Sequence, residues 1–165
     1  KYLAHLTNVL TLAGEPNAAA RAKALLDFET QVAKVHWTQV DSRDATKTYN
    51  LMPLSKLQAD ARGFDFATYL RDSGISTTEI NVAQPSAVAG IAKLVARAPV
   101  GVLKDQLLIQ SLDGYAAYLP SAFDKEAFSF YGTTLSGTPE QEVRWKRGVT
   151  FVTGALSDDV SKIYV

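Results

Sequence analysis

At 165 residues the chain is long enough for one domain, and a domain of that size removes roughly 70% of its unfolded surface from water, so a true core is within reach. Hydrophobic residues make up 47% and charged residues 21%, which excludes the charge-rich, apolar-poor composition of disorder. The 17 basic and 17 acidic side chains cancel, leaving no global field for nucleic acid or an anionic membrane, and the lack of cysteine excludes disulfides, thiolate zinc sites and cysteine nucleophiles.

Apolar spacings of three and four residues dominate the chain. They predict an all-α fold, an irregular orthogonal bundle of about 8 helices with at most one short isolated strand, in a single helical domain over residues 1–165. A short helix over Tyr2 to Leu12 ends at Ala13-Gly14, where glycine supplies the left-handed cap. A long helix then runs from about Pro16 to Gln39, with Pro16 at its first position and Leu25, Phe28, Val32 and Val35 along one face, widened by Leu26, Ala33 and Trp37.

Between Val40 and Met52 the periodicity stops and polar residues gather, the pattern of an ordered connection. Pro53 opens a short helix that buries Leu54 and Leu57, and Asp65 caps another that buries Phe66, Tyr69 and Leu70 and stops at Gly74. Thr78 to Val82 alternates polar and apolar, the mark of an isolated strand whose partner must come from elsewhere.

Ser86 caps a helix through Arg97, and Pro99 starts a longer one that Pro120 ends. Phe123, Phe128, Phe130 and Tyr131 then give an aromatic-faced helix, followed by a turn from Gly132 to Gly137. Thr138-Pro139-Glu140-Gln141 has the pattern of a capping box for a helix carrying Val143, Val149, Val152 and Leu156. Ser157-Asp158-Asp159 supplies a cap and two first-turn acids for the last helix. No window approaches the ~20 apolar residues that span a bilayer. The start at Lys1 and the apolar finish Ile163-Tyr164-Val165 are expected to be cuts in a longer polypeptide.

Each candidate chemistry has a plainer structural reading. His5 and His36 are the only imidazoles and fall on separate predicted helices, without the HExxH pair of a catalytic zinc site. No G-x-S-x-G elbow and no glycine-rich phosphate loop ending in lysine and serine occurs. Glu140 with Glu142, and Asp158 with Asp159, stand one or two residues apart, so they suit helix N-termini better than acid and base roles. Arg144-Trp145-Lys146-Arg147 is a weak nucleic-acid signal in a neutral domain. On a helix Arg144 and Arg147 share a face, while Trp145 turns toward a core or an interface. No catalytic, cofactor-binding or metal residue is assigned to the chain.

Seven short motifs in order carry a resemblance. They are Leu26-Asp27-Phe28-Glu29 with Val32-Ala33, Arg43-Asp44, Tyr49-Asn50, Gly63-Phe64-Asp65-Phe66, Tyr131-Gly132-Thr133-Thr134, Arg144-Trp145-Lys146-Arg147 and Tyr164-Val165. Together the chain resembles the N-terminal helical lobe of the neprilysin and endothelin-converting-enzyme family of zinc metallopeptidases, including its bacterial oligopeptidase members. The resemblance implies two helical lobes around a chamber, with zinc held by HExxH and a later glutamate in the C-terminal lobe; none of those motifs is present here.

The implied function is a non-catalytic lid that helps enclose the chamber and limits substrates to oligopeptides. No metal or hydrolytic activity is expected of this chain by itself, zinc belongs to the parent enzyme, and the expected partner is the missing C-terminal catalytic lobe of the same polypeptide. Vertebrate relatives carry cysteines in this region, whereas Gly148 follows Arg147 here, so a bacterial parent in the periplasm or cell envelope is expected. The competing expectation is a free-standing helical module that binds a partner protein through its aromatic faces.

Overall fold

The computed structural model describes residues 1–164, and helices dominate them. The first, α1 (Tyr2–Leu12), closes where expected: Gly14 takes φ 75°, and the Glu15 N–H reaches back to the Leu10 carbonyl at 3.0 Å. The next, α2 (Ala18–Val35), is shorter at both ends than its periodicity suggests. Pro16 lies ahead of the helix, because Asn17 adopts the left-handed conformation between them. At the far end His36 turns extended and the Trp37 N–H bonds the Gln84 side chain at 2.9 Å, replacing the next helical bond.

The connection that follows is itself partly helical. Thr38 caps α3 (Gln39–Arg43) by accepting from the Asp41 N–H at 3.1 Å, and Asp44 caps α4 (Ala45–Thr48) by accepting from the Thr46 N–H at 2.9 Å. Polar side chains clustered here because each closes a single turn, so the composition is that of caps. Short strand β1 (Leu51–Pro53) then pairs antiparallel with β2 (Glu79–Asn81), Met52 opposite Ile80. The expected lone strand therefore has its partner within the chain. Asn50 and Asn81 lock the pair, the Asn50 N–H donating to the Asn81 side-chain oxygen at 2.6 Å.

Between the strands, α5 (Leu54–Asp60) buries Leu57, and α6 (Phe66–Asp72) is capped by Asp65 through the Thr68 N–H at 2.9 Å. Leu70 is buried as expected, but Tyr69 is 56% exposed. Helix α7 (Pro85–Arg97) begins one residue before Ser86, whose hydroxyl instead accepts from the Trp37 indole N–H at 2.7 Å. It meets α8 (Val100–Tyr115) at a 116° corner across Ala98-Pro99. One 3-10 turn (Ala116–Tyr118) and α9 (Ser121–Ala127) lead into a π-helical segment, Phe128–Leu135. Last come α10 (Arg144–Ala155) and α11 (Ser157–Tyr164), making eleven α-helices among the described residues. Val165, the end of the last resembling motif, lies outside them.

Two corrections concern the segment before α10. Gly132 is inside the π segment instead of opening a turn, which begins only near Gly137 at φ 71°. Thr138 caps no helix: its N–H bonds the Gly132 carbonyl at 3.0 Å, closing the π segment, while the Gln141 side chain donates to Asp124 at 2.9 Å. The Thr138 N–H and the Gln141 side chain are thus both engaged outside the local box, and α10 starts at Arg144 without a side-chain cap.

The buried residues form two cores, and α2 lines the first. Leu6, Val9 and Leu10 of α1 pack with Ala22 and Leu25 of α2 and Ile109 of α8; the second core joins Leu57 and Ala61 to Val82 and Ala92. The first is pinned by Arg21, whose Nε and Nη2 donate to the two oxygens of buried Asp105 at 3.1 and 2.5 Å while Nη1 bonds Glu15. The second depends on Gly63, whose φ of 120° excludes other residues and whose hydrogen faces the Ala92 carbonyl; a Cβ would stand 2.7 Å from that oxygen. No single described helix is long and apolar enough to cross a membrane.

Two stability outcomes are expected. Gly63→Ala costs about 2–4 kcal/mol by denaturant unfolding, strain and collision adding, whereas Gly154→Ala, where a Cβ meets nothing within 4 Å, gains up to about 1 kcal/mol. Arg21→Leu, which strands a buried carboxylate, costs about 3 kcal/mol or more, and the Arg21→Leu/Asp105→Leu pair costs less than Arg21→Leu by itself.

Candidate functional site

Helices α1, α8, α9 and the π segment converge on His5, which is 2% exposed. Its Nδ1 lies 3.1 Å from Glu126 Oε1 and its Nε2 3.2 Å from Asp113 Oδ2. Carboxylates accept hydrogen bonds, so both ring nitrogens must donate, and that requires the imidazolium form. Burial pushes the His5 pKa down, but hydrogen bonding and charge from Asp113 and Glu126 outweigh it and hold the pKa above its ordinary value of 6.5. The ring is stacked on Phe130 with centroids 4.4 Å apart, and Tyr131 meets it edge-on.

The clamp extends outward on both sides. The Tyr131 hydroxyl donates to Asp113 Oδ2 at 2.8 Å, and Asn8 donates to Glu126 Oε2 at 3.1 Å. Burial first, then the bond to Asp113, holds the Tyr131 phenol well above its usual range, so it remains a donor. Tyr2 is raised in the same direction by burial and by the neighbouring Glu29 carboxylate. The π segment makes this geometry possible: a Cβ on Gly132 would lie 2.5 Å from the Phe128 ring, so the glycine lets the wide turn close over that ring. The Tyr131-Gly132 pair of the resemblance has a packing reason here.

The other sequence candidates fall at scattered places. His36 sits 3.4 Å from the Gln84 side-chain oxygen at the end of α2. Glu140 and Glu142 precede α10 instead of standing in its first turn, whereas Asp158 and Asp159 do occupy the first turn of α11. Asp44 caps α4, its hydrogen bonds from Thr46 holding its carboxyl below the usual range. Among the described residues no group of three or more His, Asp or Glu side chains is arranged to hold a metal ion.

Arg144 and Arg147 do share a face. Both line a hollow of ≈ 400 Å³ between the 3-10 turn after α8, α9 and α10, where Asp124 also stands and accepts from Arg147 Nη1 at 2.9 Å. Trp145 does not enter a core; it is 68% exposed, with the Lys146 ammonium 5.7 Å from its ring. Val149, Phe151, Val152 and Leu156 are exposed beside it, and neither α10 nor α11 buries any of its described side chains.

This architecture defines an all-α lobe with one minor strand pair. The whole of it, residues 1–165, matches peptidase family M13. The chain is 28% identical over 165 residues to neprilysin-2 of Drosophila melanogaster, covering 95% of this chain and 21% of that protein. It is 27% identical over 160 residues to the neutral endopeptidase of Lactobacillus helveticus, covering 95% and 25%. It superposes on the zinc metalloprotease Zmp1 of Mycobacterium tuberculosis with a TM-score of 0.91 in the inhibitor complex and 0.88 in the open state, at 33% identity, over 99% of this chain and 26% of Zmp1. The chain belongs to peptidase family M13, as its N-terminal helical lobe. It spans about a quarter of the length of these relatives.

The clamp makes a pH prediction with a fixed sign. Because the folded pKa of His5 is raised, its stabilisation is complete below the unfolded value near 6.5 and is lost as pH rises through the folded value. Unfolding at about pH 6 and about pH 9 should show the unsubstituted chain losing stability upward, and His5→Gln should shrink that difference.

Proposed function

We propose that residues 1–165 form part of the non-catalytic lid of a zinc metalloendopeptidase, helping to enclose its active-site chamber and so limiting substrates to oligopeptides. The observation that carries this reading is the bare face of α10 and α11. Trp145 is 68% and Tyr164 92% exposed, with Val149, Phe151, Val152 and Leu156 exposed on α10 between them in sequence, the kind of apolar surface that marks a contact with a partner. Relatives about four times as long supply that partner, the remainder of the same polypeptide. The zinc and the residues that hold it belong to that remainder. A bacterial parent of the periplasm or envelope is part of the proposal, supported by the bacterial relatives from Lactobacillus and Mycobacterium.

Covalent footprinting of the full-length protein beside the 165-residue chain tests the reading. Labelling of Trp145 and Tyr164 should fall several-fold in the full-length protein, which alone should hydrolyse a short peptide and lose that activity with chelator. Equal labelling in both forms would overturn the lid and favour a free-standing interaction module. Zinc-dependent turnover by the 165-residue chain would also overturn it.

A further inference from the structure

The start of α10 is electrostatically misplaced for a helix standing alone. Its first turn contains Arg144, Lys146 and Arg147 and no acid, and its N-cap, Val143, offers no side-chain acceptor. Exposed N–H groups and the helix dipole favour anions there, so three cations in that turn repel the field that they meet. Only part of this charge is answered within the lobe. Lys146 faces Glu142 at 3.7 Å and Arg147 bonds Asp124, while Arg144 has no ion pair or side-chain hydrogen bond among the described residues.

The hollow beside it shows a second deficit. Arg147 Nε is buried and has no protein acceptor among the described residues, although the side chain as a whole is 30% exposed. Asp124 meets this guanidinium through Nη1 alone, its Oδ1 also taking the Gln141 side chain, and Nε makes no bond to it. Gly148 forms part of the wall, and a Cβ there would meet nothing within 4 Å, so nothing inside the lobe requires a glycine in mid-helix. Helix stability by itself would favour alanine by about 1 kcal/mol.

We propose that this hollow is a socket for an acidic side chain on the part of the same polypeptide outside residues 1–165, its carboxylate seated between Arg144 and Arg147 against Gly148. A carboxylate matches two guanidinium groups on one helix face, supplies the anion the helix start lacks and leaves room only if position 148 has no side chain. The occupant is a protein side chain because the cationic hollow is set in exposed apolar surface, Trp145, Val149 and Phe151. A small hydrated anion would leave that surface bare. This inference rests on the lid reading and adds to it a polar contact that fixes how the lobe is registered on the rest of the molecule.

The test uses the full-length polypeptide and amide hydrogen exchange over residues 144–149. Arg144→Ala removes a cation from a helix start and installs the best helix former, so an empty socket predicts equal or slower exchange. An occupied socket predicts the opposite sign, exchange faster by on the order of thirtyfold. Gly148→Ala discriminates in the same way, slowing exchange if the hollow is empty and accelerating it if a carboxylate rests there, while Lys146→Ala should change little. Protection in the unsubstituted protein that survives Arg144→Ala and increases in Gly148→Ala overturns the socket but leaves the lid intact. Absence of protection in the unsubstituted protein overturns the lid itself. Protection that appears only with added inorganic phosphate and vanishes in Arg144→Ala identifies a free anion as occupant and also overturns the socket.

Discussion

A protonated imidazole shut away from water is the interaction on which the lobe's organisation depends. An unpaired buried cation would cost several kcal/mol, so His5 is tolerated only because Asp113 and Glu126 reach it from two different helices. That requirement fixes α1 against α8 and α9 at once, and the stacking of Phe130 on the same ring fixes the start of the π segment. Each of these contacts joins a different element to α1, so the four elements meet at one side chain.

From this clamp the consequences run toward the surface through α9. Glu126 holds His5 on one side of that short helix, and Asp124, two residues earlier, holds Gln141 and Arg147 on another. The element that closes the buried network therefore also sets where α10 begins and how its arginines face the hollow. At the other end of the lobe α2 transmits position differently, by close packing. Its Val35 lies under Gly90 of α7, where a Cβ would stand only 3.1 Å away, and α7 in turn carries Ala92 of the second core. A charge clamp and a close helix contact at a glycine thus tie the elements of the lobe to one another.

Much of the helical architecture was readable along the chain. The Gly14 cap, the Asp65 cap, the Pro99 start and the acids at the head of α11 each depend on neighbours within a few residues, so local chemistry announces them. The errors fall where a distant group competes for a local one. The Thr138 to Gln141 box has the right residues, but Gly132 and Asp124 claim them, and the strand at Ile80 finds Met52, 28 positions earlier, as its partner. The ordered connection over Val40 to Met52 holds two helices that the sequence does not announce, because helices of four or five residues show too little periodicity to detect.

Sequence by itself determined the family, the all-α class and the neutrality that leaves no field for nucleic acid, since ordered motifs and composition survive without knowledge of any contact. It also determined that Arg144 and Arg147 share a face, because helical spacing is a local property. Only the tertiary structure decided that His5 is a buried cation, for its two partners lie 108 and 121 residues away and no spacing rule joins them. Only the tertiary structure, too, decided that α10 and α11 stay uncovered. Burial is a sum over everything packed against a helix, and an amphipathic pattern states which face seeks cover without stating whether this chain provides it.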